Sequence, residues 1–361
     1  VYGAIREQID NLEKEGIDTT MREVVDLISE KAGRIWSRKK VNRADVFWGE
    51  DTGTENSLLQ IEKDFEKIDE RKKPEWMKVK LATGPEYRRL KNLMEEKKLV
   101  TVCEEAGCPN IFDCWNDGTA TFMIAGERCT RACGFCLVDT RKPNPLDPNE
   151  PQRVASAVSE MGLKHAVVTS VARDDLVDGG AEHFANTINM IREKNPETKI
   201  EVLIPDCKGN PEDLAVIFDT RPHVLNHNIE TVPRLQRKVR PSASYARSLA
   251  VLARAKKANL ITKTSLIVGL GEKESEIDQC LTDLAAVACD IVTIGQYLKP
   301  SSHHLPIKKW VTPDSFKRWT QVGKDFGISH VEASPLTRSS YHARQALEST
   351  DSTSVEIGLR S

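Results

Sequence analysis

A partial β/α barrel is the architecture this sequence predicts, on three observations. From about residue 120, short β-branched runs alternate with helical runs. Most strand-plus-helix units span about 30 residues, the size of one βα module. A tight cysteine triplet stands directly after the first run, where the carboxyl ends of parallel strands place chemistry.

The strand runs are "FMIAG" (122–126), "AVVTSVA" (166–172), "KIEVLIP" (199–205), "HVLNHNI" (223–229), "ITKTSLIVGL" (261–270) and "IVTIGQY" (291–297). Helical patterns fall between them at 151–162, 179–195, 211–219, 244–258 and 273–288. A further helix begins at Thr312, an N-cap, with Pro313 in the first helical position. Steady alternation means a parallel sheet covered by helices, here a (β/α)6 α/β barrel over 121–335. The competitor is a flat doubly wound sheet. No glycine-rich phosphate turn follows the first run, and "GLGEKE" (269–274) lacks the third glycine, so a dinucleotide fold is disfavoured.

Lys and Arg total 52 against 54 Asp and Glu, a net charge of -2, which gives no basic field for nucleic acid. No apolar run is long enough to span a bilayer, and the start of the chain has no signal core, so a cytoplasmic location with no membrane partner is expected. Residues 1–72 read as an accessory segment of polar helices or linker; Met21, Val24, Val25 and Ile28 share one helical face. Residues 73–120 read as a cysteine-bearing extension, and 336–361 as a C-terminal segment with a frayed Ser/Thr-rich tail.

Six of the nine cysteines lie between 103 and 136. A disulfide framework belongs to short secreted chains, so metal binding is the better reading. Cys129, Cys133 and Cys136 form C-x3-C-x2-C at the end of the first run. Three thiolates hold three irons of a 4Fe-4S cluster and leave the fourth iron open to a small molecule. Structural zinc wants four ligands, and no fourth follows nearby. Cys103, Cys108 and Cys114 form C-x4-C-x5-C, also without a nearby fourth cysteine. Cys280 and Cys289 lie in or beside an apolar helical stripe and read as core; Cys207 stands apart.

C-x3-C-x2-C with Phe135 before its last cysteine resembles the signature of the radical S-adenosylmethionine superfamily. The set "PEWMKVKLATGPEY", two triplets, "VTSVARDDLVDGGAEHF", "VLNHNIETVPRLQRKVRP", "VGLGE", "IGQYLKPSSHHLPI" and "RSSYHA", in that order over about 73–345, is similar to the lipoyl synthase family. The resemblance implies a partial barrel of radical S-adenosylmethionine type and two 4Fe-4S clusters. One, on Cys129, Cys133 and Cys136, chelates S-adenosylmethionine and cleaves it to a 5′-deoxyadenosyl radical. The other, an auxiliary cluster on Cys103, Cys108 and Cys114, takes a serine from RSSY as fourth ligand; by position this is Ser340, with Ser339 the second choice. Its sulfide is donated to two unactivated carbons of a protein-bound octanoyl-lysine chain.

For the cofactor, Gly179 and Gly180 read as a turn admitting its methionine end, or as plain helix-entry residues. Asn226 and Glu230 read as partners for its ribose or ammonium, or as loop caps, and Arg240 as a partner for its carboxylate. Arg173, Asp174 and Asp175 orient a ligand or are surface charges. Thr264-Ser265 stands where the family usually has Ser-Gly, which narrows that spot. The implied partners are octanoylated carrier domains (the glycine-cleavage carrier or E2 subunits), a ferredoxin or flavodoxin, and an iron–sulfur carrier, with Lys308 and Lys309 as a patch for an acidic partner. In the first 72 residues, "GIDTTMREVVDLISEKAGRIW" is similar to the end of an octanoyltransferase, so a fused remnant is the second reading there; no transferase constellation accompanies it. Two rivals are a methylthiotransferase acting on RNA, which needs a separate N-terminal domain and a basic RNA module, and a zinc-binding protein without catalysis.

Overall fold

Seven parallel strands in chain order make the frame. The structure, a computed structural model, describes residues 73–77, 89, 92, 94, 96, 97, 99–101, 108 and 110–348. The accessory segment 1–72, Cys103 and the tail beyond 348 lie outside the described residues.

β1 (Val100–Thr101) pairs antiparallel with β2 (Thr119–Ile124). Then β3 (His165–Ser170), β4 (Lys199–Leu203), β5 (Val224–Asn226), β6 (Thr262–Val268), β7 (Ile291–Gln296) and β8 (His330–Ser334) follow, each parallel to the one before. The spatial order equals the sequence order. A doubly wound sheet reverses its order at a switch point and puts helices on both faces. Without a reversal, right-handed crossovers place every helix on one face, and the twisted sheet curls around the other. The six expected strands are all present. β8 lies beyond them: "HVEAS" has one β-branched residue among charged ones and shows no apolar run.

Among the described residues, the helices that accompany the strands are α1 (Ile111–Asn116), α2 (Glu150–Met161), α3 (Ala181–Lys194), α4 (Pro211–Asp219), α5 (Tyr245–Lys257), α6 (Glu274–Ala286) and α7 (Pro313–Asp325). Their ends follow local chemistry. Pro151 opens α2 and left-handed Gly162 closes it, the Asn210 side chain caps α4, and Thr312 caps α7.

Alternation along each strand sorts the two sheet faces. Phe122, Ile124, Val168, Val202, Leu266, Val292 and Ile294 join the apolar clusters beneath the helices. The opposite residues Thr121, Glu201, Asn226, Lys263 and Thr293 are polar yet buried. Lys263 Nζ reaches Glu201 Oε1 at 3.0 Å although β4 and β6 are separated by β5, so this face is a concave lumen. Both side chains are sealed from solvent. Burial by itself would raise the Glu201 carboxyl; Lys263 and His165 outweigh it and hold the group below the usual carboxylate range.

Candidate active site

The Cys129–Cys136 loop leaves β2 through Ala125 (φ 65) and Gly126 (φ 91). A left-handed alanine is strained, and it persists where its surroundings over-determine it. Here the Ala125 amide donates to Glu150 Oε2 (2.7 Å), which His183 Nε2 also meets at 2.6 Å, and the Ala125 carbonyl accepts from Arg173 Nη1 (2.9 Å). Arg173 also bonds Asp175 through two nitrogens, so it braces the loop rather than standing free at the surface.

The loop itself is clamped by charge. Arg131, between the first two cysteines, donates to both Asp174 oxygens at 2.7 Å and to Asp206 Oδ1 at 2.6 Å. Asp206 is fully buried and also meets Arg247 of α5 at 3.3 Å. Burial works to raise Asp206 and Asp174, but Arg131 outweighs it, and both carboxyls are held low. Cys129 Sγ accepts from the backbone amides of Ala172 (3.3 Å) and Arg131 (3.4 Å). From the far side, His304 Nε2 donates to the Cys136 carbonyl (2.9 Å) while the Ser301 hydroxyl bonds Nδ1. His304 thus fastens the loop after β7 onto the cysteines.

Burial pushes the Cys133 thiol up to about 11; Arg240 pulls it down, while Cys136, Glu230 and Cys129 push it further. Cys136 is likewise raised by burial. Thiols so crowded ionise together only when a cation compensates them, which fits an iron cluster. Among the described residues no three His, Cys, Asp or Glu groups converge on a single-ion site.

Glu230 stands beside this triplet in a left-handed conformation (φ 60). Its amide donates to the Ser265 carbonyl (2.9 Å) and its carbonyl accepts from Ile267 (2.8 Å), so β6 holds the strain. Burial raises its carboxyl against the pull of Arg240 and Asn228. Arg240 Nη1 donates to the carbonyls of Asn228 and Ile229. Asn226 is buried, and its Oδ1 lacks a partner, an acceptor left for a ligand. Gly179 (φ 63) and Gly180 (φ 92) make the turn into α3, capped by the Asp178 carboxylate.

The second site is built from two distant stretches. Cys108 and Cys114 flank and enter α1, while the RSSY segment arrives from beyond β8. Asn110 Nδ2 donates to the Leu336 carbonyl (2.7 Å), and Arg344 pairs with Asp117 at 2.7 Å. The segment threads the lumen because β7 carries Gly295; a Cβ there would lie 2.0 Å from the Thr337 carbonyl oxygen. Burial raises the Cys108 thiol, tempered by the Asn110 amide and Arg338. Tyr341 is raised by burial, with Cys114 and Cys108 adding to it.

The two serines differ. Ser339 Oγ accepts from Asn226 Nδ2 (2.8 Å) and donates to Asn228 Oδ1 (3.1 Å). Ser340 Oγ accepts from Thr121 Oγ1 at 3.0 Å. The lone cysteines follow the sequence reading where it spoke: Cys280 and Cys289 are core, and Cys207 is buried as well.

The sequence model of the radical SAM superfamily matches residues 123–284, and that of the N-terminal domain of lipoyl synthase matches 45–108. Lipoyl synthase of Mycobacterium leprae (strain Br4923) is 52% identical over 291 residues, 81% of this chain and 93% of that protein. That of Mycolicibacterium paratuberculosis is 50% identical over 293 residues, 81% and 95%. The chain belongs to the lipoyl synthase family. Its N-terminal family match starts at residue 45, ahead of the 73 at which the motif resemblance begins. Lipoyl synthase of Mycobacterium avium (strain 104) is 53% identical over 272 residues, 75% of this chain and 89% of that one. Among solved structures, Streptococcus suis SuiB bound to precursor peptide SuiA aligns at TM-score 0.49 and 9% identity, covering 78% of this chain and 60% of that chain.

As a lipoyl synthase, the chain uses S-adenosylmethionine and 4Fe-4S clusters. Arg131, Asp206, Glu150 and Thr121 are residues bonded around the two cysteine stretches that sequence reasoning missed. Only Arg131 carried a signal, an arginine placed between two triplet cysteines.

Proposed function

We propose that the two thiol sets divide the work of one radical sulfur insertion. The chain is a radical S-adenosylmethionine sulfur-inserting enzyme of the lipoyl synthase family. Cys129, Cys133 and Cys136 would hold the radical-generating cluster. Cys103, Cys108 and Cys114, with Ser340, would hold the auxiliary one. When bound, these groups supply a carbon radical that removes hydrogen from the octanoyl chain, and the sulfide that the chain receives.

The carrying observation is the position of the RSSY segment. It lies in the lumen, in contact with β2 and β5 through Thr121 and Asn226. A short-lived radical needs its partner atom already fixed nearby. In this reading Asn226, Glu230 and Arg240 would orient S-adenosylmethionine: Glu230 its ammonium, Arg240 its carboxylate, and the unpartnered Asn226 Oδ1 a donor. Gly179 and Gly180 keep the α3 entry low beside it. Ser340 is the ligand in this reading because Ser339 already accepts and donates within the Asn226–Asn228 pair. Cys103, outside the described residues, completes the set by spacing.

The division of the chain follows: 73–120 carries the auxiliary cysteines, 121–335 is the barrel, 336–361 delivers the serine, and 1–72 is an accessory segment. The substrates are lipoyl-carrier proteins, either the glycine-cleavage carrier or E2 subunits, with a ferredoxin or flavodoxin as reductant and an iron–sulfur carrier for restoration. A cytoplasmic location belongs to the same reading; among the described residues no helix is long and apolar enough to cross a membrane. Lys309 leans toward Glu274 at 3.9 Å, so its patch is less basic than the sequence suggested.

The test is anaerobic incubation with an octanoyl-lysine peptide, S-adenosylmethionine and reductant, read by mass spectrometry. A peptide gaining two sulfurs is expected. S-adenosylmethionine cleavage with no sulfur gained would overturn the reading.

A further inference from the structure

We infer that Thr121 is a positioning residue for the auxiliary cluster, acting through Ser340; this rests on Ser340 being the fourth ligand. The residue lies in the middle of β2, four positions before the turn that starts the Cys129–Cys136 loop. Its backbone is fixed by register with Val167 on β3, and its side chain is buried in the lumen. The Thr121 hydroxyl donates to Ser340 Oγ at 3.0 Å across 219 residues of sequence.

An isolated serine side chain chooses among three staggered rotamers. A loop serine that must meet iron repeatedly would pay that choice in entropy each time. Thr121 removes it by holding the oxygen at one place. Partners of this kind, outside the ligand shell, set ligand orientation and metal affinity.

Ser339 sets the height of the same loop. A column rises from the lumen floor through Lys263 and Glu201 (3.0 Å), Asn226 to Glu201 (3.2 Å) and Asn226 to Ser339 (2.8 Å). It continues from Ser339 to Asn228 (3.1 Å) and from Asn228 to Glu230 (3.0 Å), the carboxylate beside the other triplet. Ser339 therefore ties the loop to the β5 side and Thr121 ties Ser340 to the β2 side. The auxiliary ligand is thus registered against the strand that launches the radical loop.

The experiment uses the anaerobic holoenzyme without S-adenosylmethionine. Iron release to a chelator is followed with electron paramagnetic resonance for a three-iron species. Wild type, Thr121→Val, Thr121→Ser and Ser340→Ala are compared. Thr121→Val keeps the shape and removes the donor; it should lose auxiliary iron about tenfold faster, the usual scale for such a partner, with the three-iron signal appearing. Thr121→Ser should restore the wild-type rate, and iron at the Cys129 site should leave unchanged. A wild-type rate in Thr121→Val beside rapid loss in Ser340→Ala would overturn the inference while leaving Ser340 as ligand. A wild-type rate in both would overturn Ser340 and this inference together. Equal acceleration at both sites would mean general loosening and would also overturn it.

Discussion

The two thiol sites are assembled in different ways. The Cys129–Cys136 cradle is local: eight residues bent by a left-handed Ala125, clamped by Arg131 to two buried or half-buried carboxylates, and covered by His304. The Cys108–Cys114 cradle is composite. The RSSY segment reaches it from more than 200 residues away, with Ser340 bonded to Thr121 and Ser339 bonded to Asn226 and Asn228 by neutral hydrogen bonds. Ion-paired bracing suits a site that must hold one geometry through every turnover. In the proposed reading, a hydroxyl on a threaded segment would suit a site that gives up atoms and is filled again. A hard serine oxygen is also a poorer match for iron than a thiolate.

Removing one thiol from each site sharpens this contrast most. Cys133→Ala should abolish both S-adenosylmethionine cleavage and sulfur insertion. Cys108→Ala should abolish insertion while cleavage continues. Each should lower iron from about eight to about four atoms per chain. Equal loss of cleavage in the two variants would dissolve the division of labour. The assays are 5′-deoxyadenosine release, peptide mass and iron content.

The clamp comes next in size. Arg131→Met leaves the buried Asp206 with only the longer Arg247 contact at 3.3 Å, and removing one partner of a buried ion pair costs up to about 3–5 kcal/mol. Denaturant unfolding should show it, and Asp206→Asn in the same background should recover part. The pH dependence has a fixed sign. Asp206 and Asp174 titrate below their unfolded values, so their stabilisation is present above about pH 4 and fades as pH falls toward the folded values. Melting temperature should fall more steeply below that point in wild type than in Asp206→Asn. Matching slopes would show that Asp206 contributes nothing to the acid limb.

What the sequence made legible divides along the same line. The six strands stood out because β-branched runs feed the apolar clusters beneath the helices, and Cys129, Cys133 and Cys136 because their contacts are short-range. β8 was hidden because its lumen face carries His330, Glu332 and Ser334, which break up any apolar run. The meeting of Ser340 with Thr121 carried no signal, since no spacing rule joins position 340 to position 121. The clamp escaped notice because charged residues in loops read as solvated until a partner such as Asp206 is found buried. Arg173 and Asp174 were open alternatives in the sequence, and geometry assigns them to bracing.

The central claim, that one site launches the radical and the other surrenders sulfur, meets its most direct test in a labelled single turnover. The auxiliary cluster is rebuilt with isotopically heavy sulfide, excess sulfide is removed, and the octanoyl peptide product is weighed. The account predicts that both inserted sulfurs are heavy and that auxiliary iron is lost in step with product. Light sulfur in the product, with that site intact, would contradict it.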